Sequence, residues 1–448
     1  MAESARQRAA ELLLRMHREQ GYSQILLDRA LREETWTEAD RALLSRLVYG
    51  AEERRLTLDW FLGQCTRAPL KRAHPAVLEI LRVGAYQLLF MDRIPASAAV
   101  NEAVKIAKTM GQGHAAGFVN GVLRSLDRRR EELWRQLPEG EVGEEIRYSC
   151  PRALIRLWRE AYGEERTAEL LAALNEVPPA VIRVNTLRTT PEEWVREAAQ
   201  VGMTAENVSG LPAALRLTGN VSWKKLDFLG EKWYYQDVAS QWCVEALDPQ
   251  PGERVADVCA APGGKSFTAA QKMRNSGRIL SGDVYAAKCE EMERRAALYG
   301  ITVLETVTRD ASAPCPAAWA GAFDRVLCDV PCSGFGVIRR KPEIRYKSLE
   351  AVAELPALQY RILEQAARMV RPGGVLQYST CTLNPAENEQ VAERFLREHP
   401  EFEPRVLPIA PVFERLAAEP SWRVTLFPSV HGSDGFFIAG FQRRGEGA

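Results

Sequence analysis

The chain has 448 residues, with 59 Lys and Arg against 59 Asp and Glu, 46% hydrophobic and 26% charged residues. That is the composition of a folded protein of two or three domains, and it excludes disordered, collagenous and disulfide-stapled classes. No apolar run approaches membrane-spanning length, and Glu3 and Glu11 interrupt any signal-peptide plan, so a cytoplasmic protein with no membrane association is expected.

The zero net charge hides an asymmetry. Residues 1–137 carry 22 Lys and Arg but only 17 Asp and Glu, a balance that suits a polyanionic partner. Apolar residues recur there at helical spacing: Leu43, Leu44, Leu47 and Val48, then Val77, Leu78, Leu81, Ala85 and Leu88, then Phe118, Val119, Val122, Leu123 and Leu126. This predicts an all-α first domain. Thr35 and Glu38 have the spacing of a capping box, and Pro75 suits the first turn of a helix, where its missing N–H costs nothing. Leu137-Pro138-Glu139-Gly140 reads as the end of a domain over 1–140.

Residues 141–235 predict a small α+β module. Helices fit 152–160 and 165–175, Pro178-Pro179 breaks the pattern, AVIRVN (180–185) alternates like a strand, and Thr190-Pro191-Glu192 starts a helix. From 236 to 446 the pattern becomes strand–helix–strand. Strands are expected near 254–259, 278–283, 303–308, 323–329, 374–379, 423–426 and 436–441, which predicts a mostly parallel sheet covered on both faces.

The nine cysteines are scattered, with no Cys-x-x-Cys pair and no neighbouring histidines, so reduced thiols and no metal site are expected. Two of them stand apart. Cys332 lies in DVPCSG (329–334) and Cys381 in YSTCT (378–382), each after an apolar run that reads as the end of a buried strand. A thiol at such an end points into the ligand crevice of a doubly wound sheet. One suggests a nucleophile; two suggest a reaction that both makes and breaks a covalent bond to substrate. A lone cysteine is more often a small buried hydrophobe, and Cys328 is read that way.

ADVCAAPGGKS (256–266) ends a strand, turns on small residues and starts a helix near Lys265. Ala260, Ala261, Gly263 and Gly264 allow close approach of a ligand, and helix-start N–H groups face it. The turn is neither G-x-G-x-x-G nor a P-loop, because Cys259 stands where the first P-loop glycine belongs. Asp283 ends the next strand, where a carboxylate accepts ribose hydroxyls; Asp310 and Asp329 end the following two. Three acids in phase favour a nucleoside pocket, and their charge suits a ligand with a cationic centre such as S-adenosyl-L-methionine over a di- or triphosphate.

These residues carry a resemblance. ADVCAAPGGKS, Asp283, Asp310, DVPCSGFGVIRRKPEIRY (329–346), YSTCTLNPAENE (378–389) and DGFFIAGFQRR (434–444) resemble the RNA 5-methylcytosine methyltransferases of the Sun/Fmu family. LLSRLVYG, LRVGAYQLLFMDRIPASAAVNEAVKIAK and FVNGVLR resemble the NusB-type helical RNA-binding domain. Together they cover nearly the whole chain. The resemblance implies a NusB-like all-α domain, a small α+β RNA-side module and a Rossmann-like class I methyltransferase domain. It implies a monomer that methylates C5 of a cytidine in 16S ribosomal RNA, with S-adenosyl-L-homocysteine as product and no metal. Cys381 would attack C6, Cys332 would assist release, and Asp329 would hydrogen-bond the base. Cys259, Ala260, Ala261, Pro262, Gly263, Gly264, Lys265, Asp283, Asp310 and Asp329 would hold the methyl donor. The chain departs from the family pattern at Cys150, Val330 and Phe335, none of which is a reacting group.

C5 of cytosine is a poor nucleophile until a thiolate adds at C6 and makes it enamine-like, which is why the chemistry needs an ionised cysteine. Asn384 is a candidate cap for a helix restarting after Cys381, whose N-terminus would favour that thiolate. RNA contacts are expected from Arg339, Arg340, Lys341 and Arg345 after the active loop, from Arg183 and Asn185, and from Arg124 and Arg128, which cluster with Arg129 and Arg130 at a helix end. Trp223, Trp233, Tyr234 and Tyr235 suit core packing as well as base stacking. The same chemistry on transfer RNA, or a non-catalytic RNA-binding assembly factor, are the competing readings.

Overall fold

A computed structural model describes residues 4–19, 21, 23–33, 35–219, 221, 226–409 and 421–445. Trp223 lies outside the described residues. The chain forms two compact units: Met1–Glu176 with Ile338–Lys347, and Val177–Val337 with Ser348–Ala448.

The first unit is helical. It contains α1 (Ala5–Glu19), α2 (Ser23–Glu33), α3 (Glu38–Glu53), α4 (Arg55–Gly63), α5 (Pro75–Phe90), α6 (Ala96–Thr109), α7 (Ala116–Arg135), α8 (Gly140–Tyr148) and α9 (Arg152–Ala173). The expected apolar positions Leu44, Leu47, Val48, Val77, Leu81, Ala85, Val119, Leu123 and Leu126 form one buried core. Pro75 does open α5. The cap of α3, however, is Thr37, whose hydroxyl accepts from the Asp40 N–H; Thr35 lies two residues too early. The compact unit continues past Leu137–Gly140, because α8 packs on α4 and α9 on α8. α9 contains both helices expected between 152 and 175, joined at Gly163, whose φ of 80° breaks the helical path.

The second unit holds two sheets. The smaller is antiparallel, in the order β2 (Thr204–Val208), β3 (Leu211–Thr218), β1 (Val181–Val184), β4 (Trp233–Tyr235), with α10 (Pro191–Gln200) started by a complete Thr190–Glu193 capping box. β1 is an inner strand and all four of its residues are buried, so the alternation expected for 180–185 does not divide an inner from an outer face.

The larger sheet has eight strands: β5 (Arg254–Asp257), β6 (Arg278–Asp283), β7 (Leu304–Thr308), β8 (Phe323–Asp329), β9 (Val370–Thr380), β10 (Phe402–Pro404), β11 (Arg423–Leu426) and β12 (Phe436–Arg443). Its order is β10-β12-β9-β8-β5-β6-β7, with β11 on β12. The stretch from β9 to β7 is parallel, and β12 adds antiparallel to β9. The unit also contains α11 (Val238–Leu247), α12 (Gly264–Lys272), α13 (Ala286–Tyr299), α14 (Leu355–Met369), α15 (Glu389–Glu398) and the short α16 (Pro428–His431). Both faces are covered. Leu327, Val375 and Ile438 pack with Trp242 and Phe267 on one side, while Val326, Cys328, Leu376 and Phe437 pack with Tyr360 and Leu363 on the other. β6 follows β5 on one side and β8 flanks β5 on the other, so the strand order reverses at β5, the place where such sheets bind ligands.

Candidate active site

β8 and β9 pair in parallel, with Asp329 opposite Ser379. Each strand then runs into a loop that carries a cysteine. The sulfurs of Cys332 and Cys381 come within 3.3 Å of each other, both free thiols at partly exposed positions. The turn after Asp329 is closed by Gly336, whose N–H donates to the Cys381 carbonyl (3.0 Å) and whose carbonyl accepts from the Gly435 N–H (2.8 Å). A Cβ at Gly336 would lie 1.9 Å from the Gly435 oxygen, so only glycine permits this approach. The Cys332 thiol is held well above the ordinary thiol range, first by its hydrogen bond to the Cys381 sulfur, then by burial and by the charges of Glu387 and Asp329. Either sulfur can donate in this contact.

Asp329 is engaged on both oxygens. Oδ1 accepts from Ser379 Oγ at 2.9 Å and Oδ2 accepts from Lys265 Nζ at 2.6 Å. Burial works against the Lys265 ammonium but is outweighed by the Asp329 carboxylate, which raises it above the usual lysine range. Behind this pair, Cys243 on α11 donates to Ser379 Oγ (3.4 Å) and receives Gln377 Nε2 at its sulfur (3.2 Å).

The small-residue turn lies at the end of β5. Gly263, at φ 99°, caps α12, and a Cβ there would lie 2.5 Å from the Phe267 ring. The turn is anchored by Ala260 N–H on the Gly282 carbonyl (2.7 Å) and by Ser266 Oγ on Asp257 Oδ2 (2.7 Å). Burial pushes the Asp257 carboxyl up to about 7, and its Oδ1 is buried without a partner. The Cys259 thiol is raised by burial and then by the charges of Asp257, Asp329, Asp283 and Asp310, so the strand-end acids surround one loop. Asp283 Oδ1 accepts from Tyr285 N (3.0 Å), and Val284 and Tyr285 beside it are exposed. Asp310 accepts from the Ser312 hydroxyl and N–H, which hold its carboxyl below the usual range.

Several expectations need correction. Arg183 and Asn185 are buried: Arg183 donates to Gln271 and Gln241, and Asn185 to the carbonyls of Glu231 and Tyr299. Both tie β1 and the residue after it to their neighbours, where an exposed position was expected. Arg345 is also fully buried, its Nη1 donating to the carbonyls of Glu53, Tyr148 and Ser149. Asn384 does not cap a helix. It forms a local turn, accepting from Ala386 N, and α15 begins only at Glu389 after Asn388. Tyr234 is core, donating or accepting with Thr268 inside the second unit, whereas Tyr235 is exposed.

Arg124 and Arg128 are exposed on α7, and Arg339, Arg340 and Lys341 are partly exposed. The departures Cys150, Val330 and Phe335 are buried packing residues. Cys328 is a buried core residue, as expected. The residues that sequence reasoning missed are Ser379, Asp257, Glu387 and Asn388. For Ser379 a signal existed, since its position two before Cys381 places both on one face of the strand end. Among the described residues no group of three or more His, Cys, Asp and Glu could hold a metal ion, and no helix is long and apolar enough to cross a membrane.

Three family models match the chain. The 16S rRNA methyltransferase RsmB/F model covers residues 244–442, the NusB family model 3–128, and the RsmF/B-like ferredoxin-like domain model 150–224. The chain is 35% identical over 443 residues to a probable ribosomal RNA small subunit methyltransferase B of Synechocystis, covering 98% of this chain and 99% of that one. It is 35% identical over 445 residues to the protein of the same description in Bacillus subtilis, covering 99% of each. The crystal structure of PH0851 superposes with a TM-score of 0.82 at 25% identity, covering 99% of this chain and 100% of that one.

Proposed function

The chain belongs to the 16S rRNA methyltransferase RsmB/F family, an S-adenosyl-L-methionine-dependent family of enzymes, and on that premise we propose that it methylates C5 of a cytidine in 16S ribosomal RNA through its two cysteines. The observation that carries this reading is the pair of sulfurs 3.3 Å apart at the ends of adjacent parallel strands, beside an aspartate held by a lysine and a serine.

In this reading Cys381, as thiolate, adds to C6, and Asp329 accepts a hydrogen bond from the exocyclic amine of the base, which orients the ring for attack. S-adenosyl-L-methionine, when bound, supplies an electrophilic methyl group to C5. The residues fit such a donor: the unpartnered Asp257 Oδ1, the small-residue turn and the Asp283 carboxylate next to exposed Val284 and Tyr285 make a polar and apolar cradle at the switch point. Once Cys381 is a thioether it no longer offers the anion that holds the Cys332 proton. Cys332 then gives its S–H proton to solvent at its partly exposed position and, as thiolate, takes the C5 proton. The C5–H electrons form the C5=C6 bond, the C6–S bond breaks, and Cys381 leaves as thiolate. Exposed Arg124 and Arg128, and Arg339, Arg340 and Lys341, are the basic groups this reading assigns to the RNA backbone.

The test is methyl transfer from labelled S-adenosyl-L-methionine to undermodified 16S ribosomal RNA, with the position read by bisulfite sequencing. Label at C5 of a cytidine is expected. Label only in transfer RNA, or in no RNA, would refute the reading.

A further inference from the structure

The two thiols are held by a pair of adjacent residues that neither reacts nor binds substrate. Glu387 is fully buried. Its Oε2 accepts from Ser333 N and from Gln359 Nε2, both at 2.8 Å, and its Oε1 accepts from Asn384 Nδ2 at 2.8 Å. The same Gln359 amide donates to the Pro331 carbonyl at 2.9 Å. The peptide groups on both sides of Cys332 are therefore fastened through Glu387 and Gln359. Asn388, the next residue, holds the neighbours of Cys381: its Oδ1 accepts from Thr380 Oγ1 (2.5 Å) and its Nδ2 donates to the Thr382 carbonyl (2.9 Å). Ser333 Oγ and Thr382 Oγ1, which follow the two cysteines, meet at 2.6 Å.

Neutral donors satisfy Glu387, and none of these partners is a cation. A buried carboxylate held this way is costly, but both of its oxygens accept from N–H donors, and an amide would set an NH2 against one of them. The site therefore calls for a double acceptor, and the charge that comes with it acts on its surroundings. It sits against the Cys332 turn, and a negative charge there favours the protonated form of a nearby thiol. Other ionisable groups near Cys332 include Cys381, Tyr378 and Asp329, the last paired with Lys265.

Resting on the two-cysteine reading, we propose that Glu387 is the positioning residue of the thiol pair, its buried carboxylate fixing the Cys332 turn against the Cys381 loop and making Cys332 the proton-bearing partner. Two sulfurs so close and so similarly exposed would otherwise compete for the role of nucleophile. Glu387 breaks that symmetry, and Asn388 fixes the geometry of the sulfur left to ionise.

The experiment is iodoacetamide alkylation of the full chain over a pH series, with the label at each cysteine read by mass spectrometry. In the native protein Cys381 is expected to react first; if Cys332 reacts first, the division of roles under the two-cysteine reading fails. In Glu387→Gln the ratio of Cys332 to Cys381 labelling at a given pH is expected to rise roughly 3- to 10-fold. A native ratio in a variant that melts at the native temperature would overturn the role of Glu387 alone. If Glu387→Gln melts below the assay temperature, the ratio is read in Gln359→Leu, which keeps the charge but cuts the link to the Pro331 carbonyl. A smaller rise in the same direction supports the proposal, and an unchanged ratio overturns it.

Discussion

Ser379 donates its hydroxyl proton to Asp329 across the parallel β8–β9 pair at 2.9 Å, with the two residues in direct register. The carboxylate is thereby turned with one oxygen on Ser379 and the other on Lys265. Ser379→Ala removes one of two fixed partners without touching a reacting group. Turnover is expected to fall about tenfold, the rate equivalent of one hydrogen bond to a charged group, with Ser379→Thr recovering part of it. Single-turnover methyl transfer checks this, and a rate equal to native in Ser379→Ala would show that Asp329 needs no such orientation.

The two cysteines should fail in opposite ways. Cys381→Ala is expected to give no transfer and no covalent species. Cys332→Ala is expected to methylate once and then hold the RNA, because nothing takes the C5 proton. A denaturing gel displays the difference as a retarded protein–RNA band in Cys332→Ala only. Sustained turnover in Cys332→Ala, with no such band, would rule out its role in release.

His17 gives the helical unit a pH dependence. Its ring meets Glu52 Oε2 at 2.7 Å and Glu79 Oε1 at 3.0 Å, and Arg82 also pairs with Glu79. Burial opposes the imidazolium, but the two glutamates outweigh it and raise His17 to about 9. A folded pKa above the unfolded value of about 6.5 means the stabilisation is complete below about pH 6.5 and is lost as pH rises through about 9; its ceiling is about 3 kcal/mol. Urea midpoints of the native protein should fall between pH 6.5 and pH 9.5 more than those of His17→Gln. Parallel curves for the two proteins would count against the charged histidine.

Basic residues should divide by burial. Arg345→Ala strips hydrogen bonds from the carbonyls of Glu53, Tyr148 and Ser149 and is expected to destabilise the protein by about 3 kcal/mol. Arg124→Ala and Arg128→Ala, at exposed positions, should leave the melting temperature unchanged while each lowers the salt dependence of RNA binding by about one ion. Equal melting temperatures for Arg345→Ala and the native protein would refute the first half. An unchanged salt slope in both α7 variants would refute the second.

Element order was legible because periodicity is local: the helical spacing around Leu47, Leu81 and Leu123, the apolar run in 254–259, and those that end at Asp283 and Asp329, need no distant partner to be read. The two thiols were legible for the same reason, each marked by its own strand end. What failed was the step from residue type to surroundings. Arg183, Asn185 and Arg345 carry groups that usually face water, and only long-range packing shows that all three are buried. Asn384 and Asn388 are both plausible turn residues, and the choice between them depends on Glu387 and Thr380, whose positions come from the fold. Glu387 reads in sequence as one more acid in a polar turn; its meaning lies in Ser333, 54 positions away.

The ten residues from Ile338 to Lys347 leave the catalytic unit shortly after the Cys332 turn and are completed by the helical unit. There Glu343 receives the hydroxyl and N–H of Ser23, Tyr346 donates to the Glu52 carbonyl, and Arg345 and Ile344 are buried. The helical half is thus not a detachable cassette. A gene ending after residue 176 would encode a bundle missing one of its own pieces, and a gene beginning there would bare Ile344 and Arg345 to water. Recombination that swapped the first domain of this enzyme for a relative's would have to exchange two separate stretches of sequence at once.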